Sequence, residues 1–165
     1  MRLEECFQTT AEEIVQKKWN IYLGISIQNK YFSEDNIRQF ADWATDHTKT
    51  KFAILLVDAI QYINNEVLNH SSRISAIDKA YRKSDEVRQL CENAIAALPA
   101  NKREKIVLID WVDIIESEHY VYNLKLFHKA YQENEVFRNY LTSCTVKNLG
   151  KIAERFNNED INRLT

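Results

Sequence analysis

The stretch Phe52-Ala53-Ile54-Leu55-Leu56-Val57-Asp58, FAILLVD, decides the fold. Six apolar residues with no polar break leave no face for water, so the run reads as a buried strand that stops at Asp58. Upstream, Trp19 to Ile25 (WNIYLGI) is a second short β-branched and aromatic run, and downstream Lys105 to Trp111 (KIVLIDW) is a third that again runs into an acid. Between the first two, Ser33-Glu34-Asp35-Asn36 offers a capping serine with acids in the first turn. A helix through about His47 follows, with Ile37, Phe40, Ala41 and Ala44 at helical spacing. Between the second and third, Ser71 to Leu98 is one long helix whose Ile77, Ala80, Val87, Cys91, Ala94, Ile95 and Leu98 share a side. Pro99 cannot continue it. Continuous apolar strands separated by amphipathic helices predict a doubly wound parallel sheet, a Rossmann-like three-layer α/β domain.

Outside this frame the signals are weaker. Residues 3 to 18 suggest a leading helix, and Tyr120 to Tyr131 and Asn134 to Asn148 read as two later helices, the second closed near Gly150. The last fifteen residues are polar and carry no strong signal. No repeat, low-complexity tract or linker divides the chain, so one domain over residues 1–165 is expected.

Composition excludes several classes. No apolar run nears the roughly 20 residues that span a bilayer, so no membrane association is expected, and the N-terminus lacks the apolar core of a signal peptide. Cys6, Cys91 and Cys144 are odd in number and show no CxxC spacing, which predicts reduced thiols in a cytoplasmic protein and no metal site. The net charge of −2 means that any polyanion partner must be met by a local basic patch.

The first strand leads into Gly24-Ile25-Ser26-Ile27-Gln28-Asn29-Lys30-Tyr31-Phe32-Ser33. In open α/β sheets ligands bind where strands end, which places Ser26 at a candidate site. The spacing alone leaves two readings open: a turn in which Gly24 relieves a bend and Ser26 makes a local hydrogen bond, or a presented nucleophile. GxSxxN is not the GxSxG nucleophile elbow, and the glycines of Rossmann or P-loop phosphate cradles are absent.

GISIQNKYFS resembles the opening motif of the tRNA-dependent cyclodipeptide synthases, in which a strand-end GxSxxNxYFS segment carries a nucleophilic serine. Val57-Asp58 followed by Tyr62-Ile63-Asn64, the basic helix segment Ala76-Ile77-Asp78-Lys79-Ala80-Tyr81-Arg82-Lys83, and Ile109-Asp110-Trp111 are similar to later parts of that family. Tyr120, Tyr131, Asn134, Phe137 and Arg138 then follow in the family's order, so the likeness runs from about Trp19 to Leu149.

The resemblance implies a catalytic domain like that of class I aminoacyl-tRNA synthetases, acting on aminoacyl-tRNA with no ATP or other cofactor. It implies Ser26 as nucleophile and Asn29 as the amide that orients the aminoacyl group, although Asn29 read alone is a turn or helix cap. Gly24 and Tyr120 are assigned to the substrate cleft; Tyr31 and Phe32 read as ligand contacts or as helix-entry packing, with packing favoured. None of His47, His70, His119 and His128 lies in a triad-like motif. Lys79, Arg82 and Lys83, with Arg88 nearer the border, lie opposite the apolar stripe of the long helix. By themselves they read as a solvated face; the resemblance makes them a tRNA-binding surface, which Lys102, Arg103 and Lys105 would extend.

The family also implies a helix with tyrosine and glutamate four apart and a loop tyrosine, both beyond Thr165. Tyr62/Glu66 and Tyr131/Glu135 share that spacing but occupy earlier segments. The expectation is therefore a chain that folds and binds tRNA, with room for self-association, yet forms little or no cyclic dipeptide. The alternative is a noncatalytic tRNA-binding module, and a nucleotide-binding interaction domain stands third.

Overall fold

The computed structural model describes residues 10, 12–13, 16, 20–27, 29–57 and 60–165. Most of the expected leading helix, together with Trp19, Gln28 and Asp58, lies outside the described residues. The chain divides into two compact units, Met1–Asp58 with Tyr81–Trp111, and Ala59–Ala80 with Val112–Thr165.

The first unit is built on three parallel strands, β1 (Ile21–Ser26), β2 (Phe52–Val57) and β3 (Ile106–Asp110), in the order β1-β2-β3. Register follows from side-chain alternation. Ile21, Phe52 and Ile106 form one row, Leu23, Ile54 and Leu108 the next, and Ile25, Leu56 and Asp110 a third. These rows face α1 (Glu34–His47) and the later part of α3 (Arg73–Ala96). The core joins them to Ile37, Ala41 and Ala44 of α1 and Val87, Cys91 and Ala94 of α3. Each large side chain so buried contributes about 1.5–3 kcal/mol relative to exposure. Among the described residues Phe52 is the largest fully buried one, with Phe40 tilted against it at 5.6 Å between centroids.

The helix-boundary signals act as expected. Ser33 Oγ accepts from the Asn36 N–H at 3.3 Å and caps α1. After Pro99 a single turn, α4 (Ala100–Arg103), leads into β3. This turn is stapled to α1: Lys102 Nζ lies 2.8 Å from both Asp42 Oδ1 and Asp46 Oδ2, and Lys105 Nζ donates to the Thr45 carbonyl at 2.8 Å. The ammonium hydrogen-bonded to it holds the Asp46 carboxyl below its ordinary range, and the two carboxylates raise Lys102.

The second unit contains α2 (Gln61–Leu68), the first residues of α3, α5 (Trp111–Ile115, apart from its first residue), α6 (Glu118–Glu133), α7 (Glu135–Leu149), a 3₁₀ turn (Gly150–Arg155) and α8 (Asn158–Leu164). Asn134 Oδ1 caps α7 through the Phe137 N–H, and Gly150 closes it at φ 56°. Arg138 turns back to donate to the Tyr131 and Gln132 carbonyls, satisfying the open end of α6. Helix α8 is fixed by buried Ile161 and by Arg163 Nη2, 3.1 Å from Glu66 Oε1 of α2. Neither α2 nor α8 was foreseen in the sequence.

Candidate active site

Ser26 is the last residue of β1 and is half-buried. Its carbonyl accepts from the Asn29 N–H at 3.0 Å, and the Asn29 carbonyl accepts from Phe32 at 3.2 Å, so the main chain closes the turn. Ser26 Oγ has no hydrogen-bond partner among the described residues. The bland reading of Ser26 required that hydroxyl to be consumed locally, and among these residues it is not.

Asn29 does act as a turn residue: its Oδ1 accepts from the Tyr31 N–H at 3.0 Å. That bond fixes the carboxamide and leaves its Nδ2 donors without a partner among the described residues. Tyr31 is exposed and sets its ring edge-on to Phe32, which packs on the core.

Gly24 does not relieve a bend, because it lies within β1 and its φ is not left-handed. Alternation puts Tyr22, Gly24 and Ser26 on the sheet face opposite the core rows. Across that face Gly24 registers with Leu55 and, one strand further, Ile109. The Tyr22 hydroxyl lies 3.7 Å from where a Cβ on Gly24 would stand. A Cβ there would touch the tyrosine at ordinary van der Waals distance, so the Tyr22 side chain lies over Gly24 on the face that leads to Ser26.

The basic residues divide. Lys79, Arg82 and Lys83 are exposed on α3. Lys79 Nζ reaches Ser71 Oγ at 3.1 Å, and Lys83 Nζ pairs with Glu86 at 2.7 Å. Such exposed pairings are worth about 0–1 kcal/mol and exchange readily for a phosphate. Arg88 behaves differently from the other three. Its side chain is two-thirds buried and its guanidinium is paired with Asp110 at the end of β3, so it ties α3 to the sheet. Lys102 and Lys105 are likewise committed to α1 and do not extend the patch.

Tyr120 belongs to the second unit, where it lines a cavity of about 300 Å³ with Asn123, Leu124 and Phe127. Of the pairs with tyrosine–glutamate spacing, Glu66 is engaged by Arg163 and Tyr62 lies under Arg73, 5.6 Å from the ring centroid. His47 stacks on Trp43 at 4.5 Å with a ring nitrogen 2.7 Å from the Trp43 carbonyl, a packing role. Burial pushes the Cys91 thiol up to about 11, which keeps it protonated and inert. Among the described residues no cluster of His, Cys, Asp or Glu is arranged to hold a metal ion, and no helix is long and apolar enough to cross a membrane.

The sequence pattern of the cyclodipeptide synthases matches residues 4–163. The chain belongs to the cyclodipeptide synthase family. Its fold is that of solved relatives. A Mycobacterium tuberculosis protein, described as demonstrating that cyclodipeptide synthetases are related to type I tRNA synthetases, superposes with a TM-score of 0.78 at 17% identity. A Bacillus thermoamylovorans cyclodipeptide synthase gives 0.75 and a Staphylococcus haemolyticus one 0.74, both at 21% identity. Each likeness covers 93% of this chain. The chain spans 64% of the Mycobacterium protein's length, 67% of the Bacillus protein's and 68% of the Staphylococcus protein's. No curated protein matches it. The Rossmann-like α/β architecture read from the three apolar strands is thus the family's own.

Proposed function

We propose, against the expectation of little or no product, that this chain transfers aminoacyl groups from charged tRNA to Ser26 and forms cyclic dipeptides. The observation that carries the reading is the hydroxyl of half-buried Ser26, without a partner among the described residues at the carboxyl end of β1 while the main chain closes the turn around it.

In the first step Ser26 Oγ attacks the carbonyl carbon of the aminoacyl ester. The bond to the 3′ ribose oxygen breaks, that oxygen takes up a proton, and an aminoacyl-serine ester remains, so one difficult transfer becomes two easier ones. Next, the amine of this acyl group attacks the ester of a second charged tRNA, giving a dipeptidyl-serine and releasing that tRNA. Finally, the new terminal amine attacks the seryl ester, closing the diketopiperazine ring and regenerating the hydroxyl. The substrate esters arrive activated, which suits a serine with no histidine in a triad-like motif.

Asn29 Nδ2 is assigned to orient the aminoacyl group, its carboxamide held by Tyr31 N–H. Gly24, on the same sheet face as Ser26, is assigned to the substrate cleft. Lys79, Arg82 and Lys83 are assigned to tRNA phosphates, supplying the local patch that a chain of net charge −2 requires. Arg88 is left out because it already serves Asp110.

Incubation with charged tRNA, followed by mass spectrometry of the small-molecule fraction, tests the reading. Cyclic dipeptide from the wild type and none from Ser26→Ala is the expected result. Equal product from both overturns the role of Ser26. Salt-sensitive tRNA binding with no product from either identifies the chain as a noncatalytic binding module.

A further inference from the structure

On the sheet face opposite the core rows, β1 presents Tyr22, Gly24 and Ser26, and the positions that register with them on β2 and β3 are all apolar. Among the described strand residues, the polar side chains on this face are therefore two hydroxyls, those of Tyr22 and Ser26. Neither has a partner among the described residues. The Tyr22 ring leans along the strand toward Ser26: its hydroxyl and Cε1 lie 3.7 and 3.9 Å from the Cβ position of Gly24. Gly24 carries no side chain and is exposed between the two. Positions two apart on a strand stand roughly 6.6–6.8 Å from each other, so a hydroxyl over Gly24 faces Ser26 across a bare stretch of backbone.

We propose that the Tyr22 hydroxyl accepts a hydrogen bond from the α-amine of the aminoacyl group carried by Ser26. This deepens the function proposed above and rests on it. Ligands approach an open α/β sheet from beyond the carboxyl ends of its strands, so the tRNA lies outward of Ser26. Tyr22, four residues back along β1, lies inward, on the side that receives the acyl group rather than the ribose. The amine is the polar group that every aminoacyl residue carries, and it stands three bonds from Ser26 Oγ. A hydrogen bond of about 2.7–3.2 Å beyond it reaches a hydroxyl over Gly24. On a face otherwise apolar, two hydroxyls fix the orientation of what lies between them. By accepting one N–H, the phenol turns the nitrogen lone pair outward, toward the ester of the second charged tRNA. In that attack the N–C bond forms, the bond to the 3′ ribose oxygen breaks, and the proton leaving nitrogen goes to that oxygen.

The test offers two acyl donors to wild type and Tyr22→Phe: tRNA charged with an amino acid, and tRNA bearing the same acyl group with hydrogen in place of the α-amine. Acylation of Ser26 is followed by protein mass in a single turnover. Wild type is expected to prefer the aminoacyl group. Tyr22→Phe keeps the ring over Gly24 and removes the acceptor. It is expected to narrow that preference by roughly two- to tenfold, the net worth of one hydrogen bond, while taking the deaminated group as fast as wild type does. An unchanged preference, or equal slowing with both donors, overturns the contact while leaving Ser26 as the acceptor. Failure of wild type to be acylated by charged tRNA overturns the underlying function and this role with it.

Discussion

The Ser26 carbonyl accepts the Asn29 N–H at 3.0 Å, so one backbone bond joins the proposed nucleophile to the proposed orienting amide. Substitutions at Asn29 separate its two uses. Asn29→Asp keeps the Oδ1 that holds Tyr31 N–H but removes the Nδ2 donors. Stability is expected to stay within about 0.5 kcal/mol of wild type, as for most exposed positions. Cyclic dipeptide formation is expected to slow by on the order of 10²-fold or more, the usual effect of losing one positioned donor. Single-turnover kinetics beside thermal unfolding check both, and an unimpaired rate removes Asn29 from the site.

Arg88 and the cluster Lys79, Arg82, Lys83 are expected to respond in opposite ways. Arg88→Met leaves Asp110 without its guanidinium, and hydrogen bonds to charged groups are worth about 1.5–3 kcal/mol. Denaturant unfolding is expected to show a decrease of that order, with the salt dependence of tRNA binding unchanged. A normal midpoint together with a flattened salt slope returns Arg88 to the tRNA surface.

Replacing Lys79, Arg82 and Lys83 by glutamate is expected to spare folding and weaken tRNA binding. The slope of log K on log salt is expected to fall by about 0.7–0.9 for each phosphate that the variant no longer neutralises. Binding titrations at several salt concentrations read this directly. An unchanged slope in a folded variant means the three residues are only solvated.

The Lys102 staple makes a pH prediction. Asp46 titrates below its ordinary value of 3.8 in the folded protein, so its stabilisation is present above that value and is lost as pH falls through the lower folded one. Lys102 is raised above 10.5, so its part is present below that value and lost as pH rises through the higher folded one. The stability difference between wild type and Lys102→Met is expected to be flat near neutral pH and to shrink at both extremes. A difference that grows on acidification contradicts the assignment.

The strands were legible because each is a short run rich in apolar β-formers, and the central one, Phe52–Val57, is continuously apolar and matches its reading residue for residue, whereas β1 turned out to be exposed on one face at Tyr22 and Gly24. Helix α1 was legible through its cap at Ser33. Helix α2 was not, because Gln61 and Asn65 are polar yet buried and no side chain caps its start. In α8 a single buried isoleucine gives no period to read. Helical spacing put Arg88 with the basic cluster, but its partner comes from β3, 22 residues away. Lys102 meets Asp42 across 60 residues, a pairing that no local pattern announces. The motif around Ser26 was legible only as a resemblance, since its unengaged hydroxyl is a fact of three-dimensional structure.

The central claim is that Ser26 carries the acyl group, and its most direct test is the mass of the protein after mixing with tRNA charged with a labelled amino acid. Quenching in acid preserves the ester, and peptide mapping locates it. One aminoacyl group on the peptide containing Ser26 in the wild type, absent from Ser26→Ala, is the predicted result. A labelled adduct of comparable yield in Ser26→Ala contradicts the account.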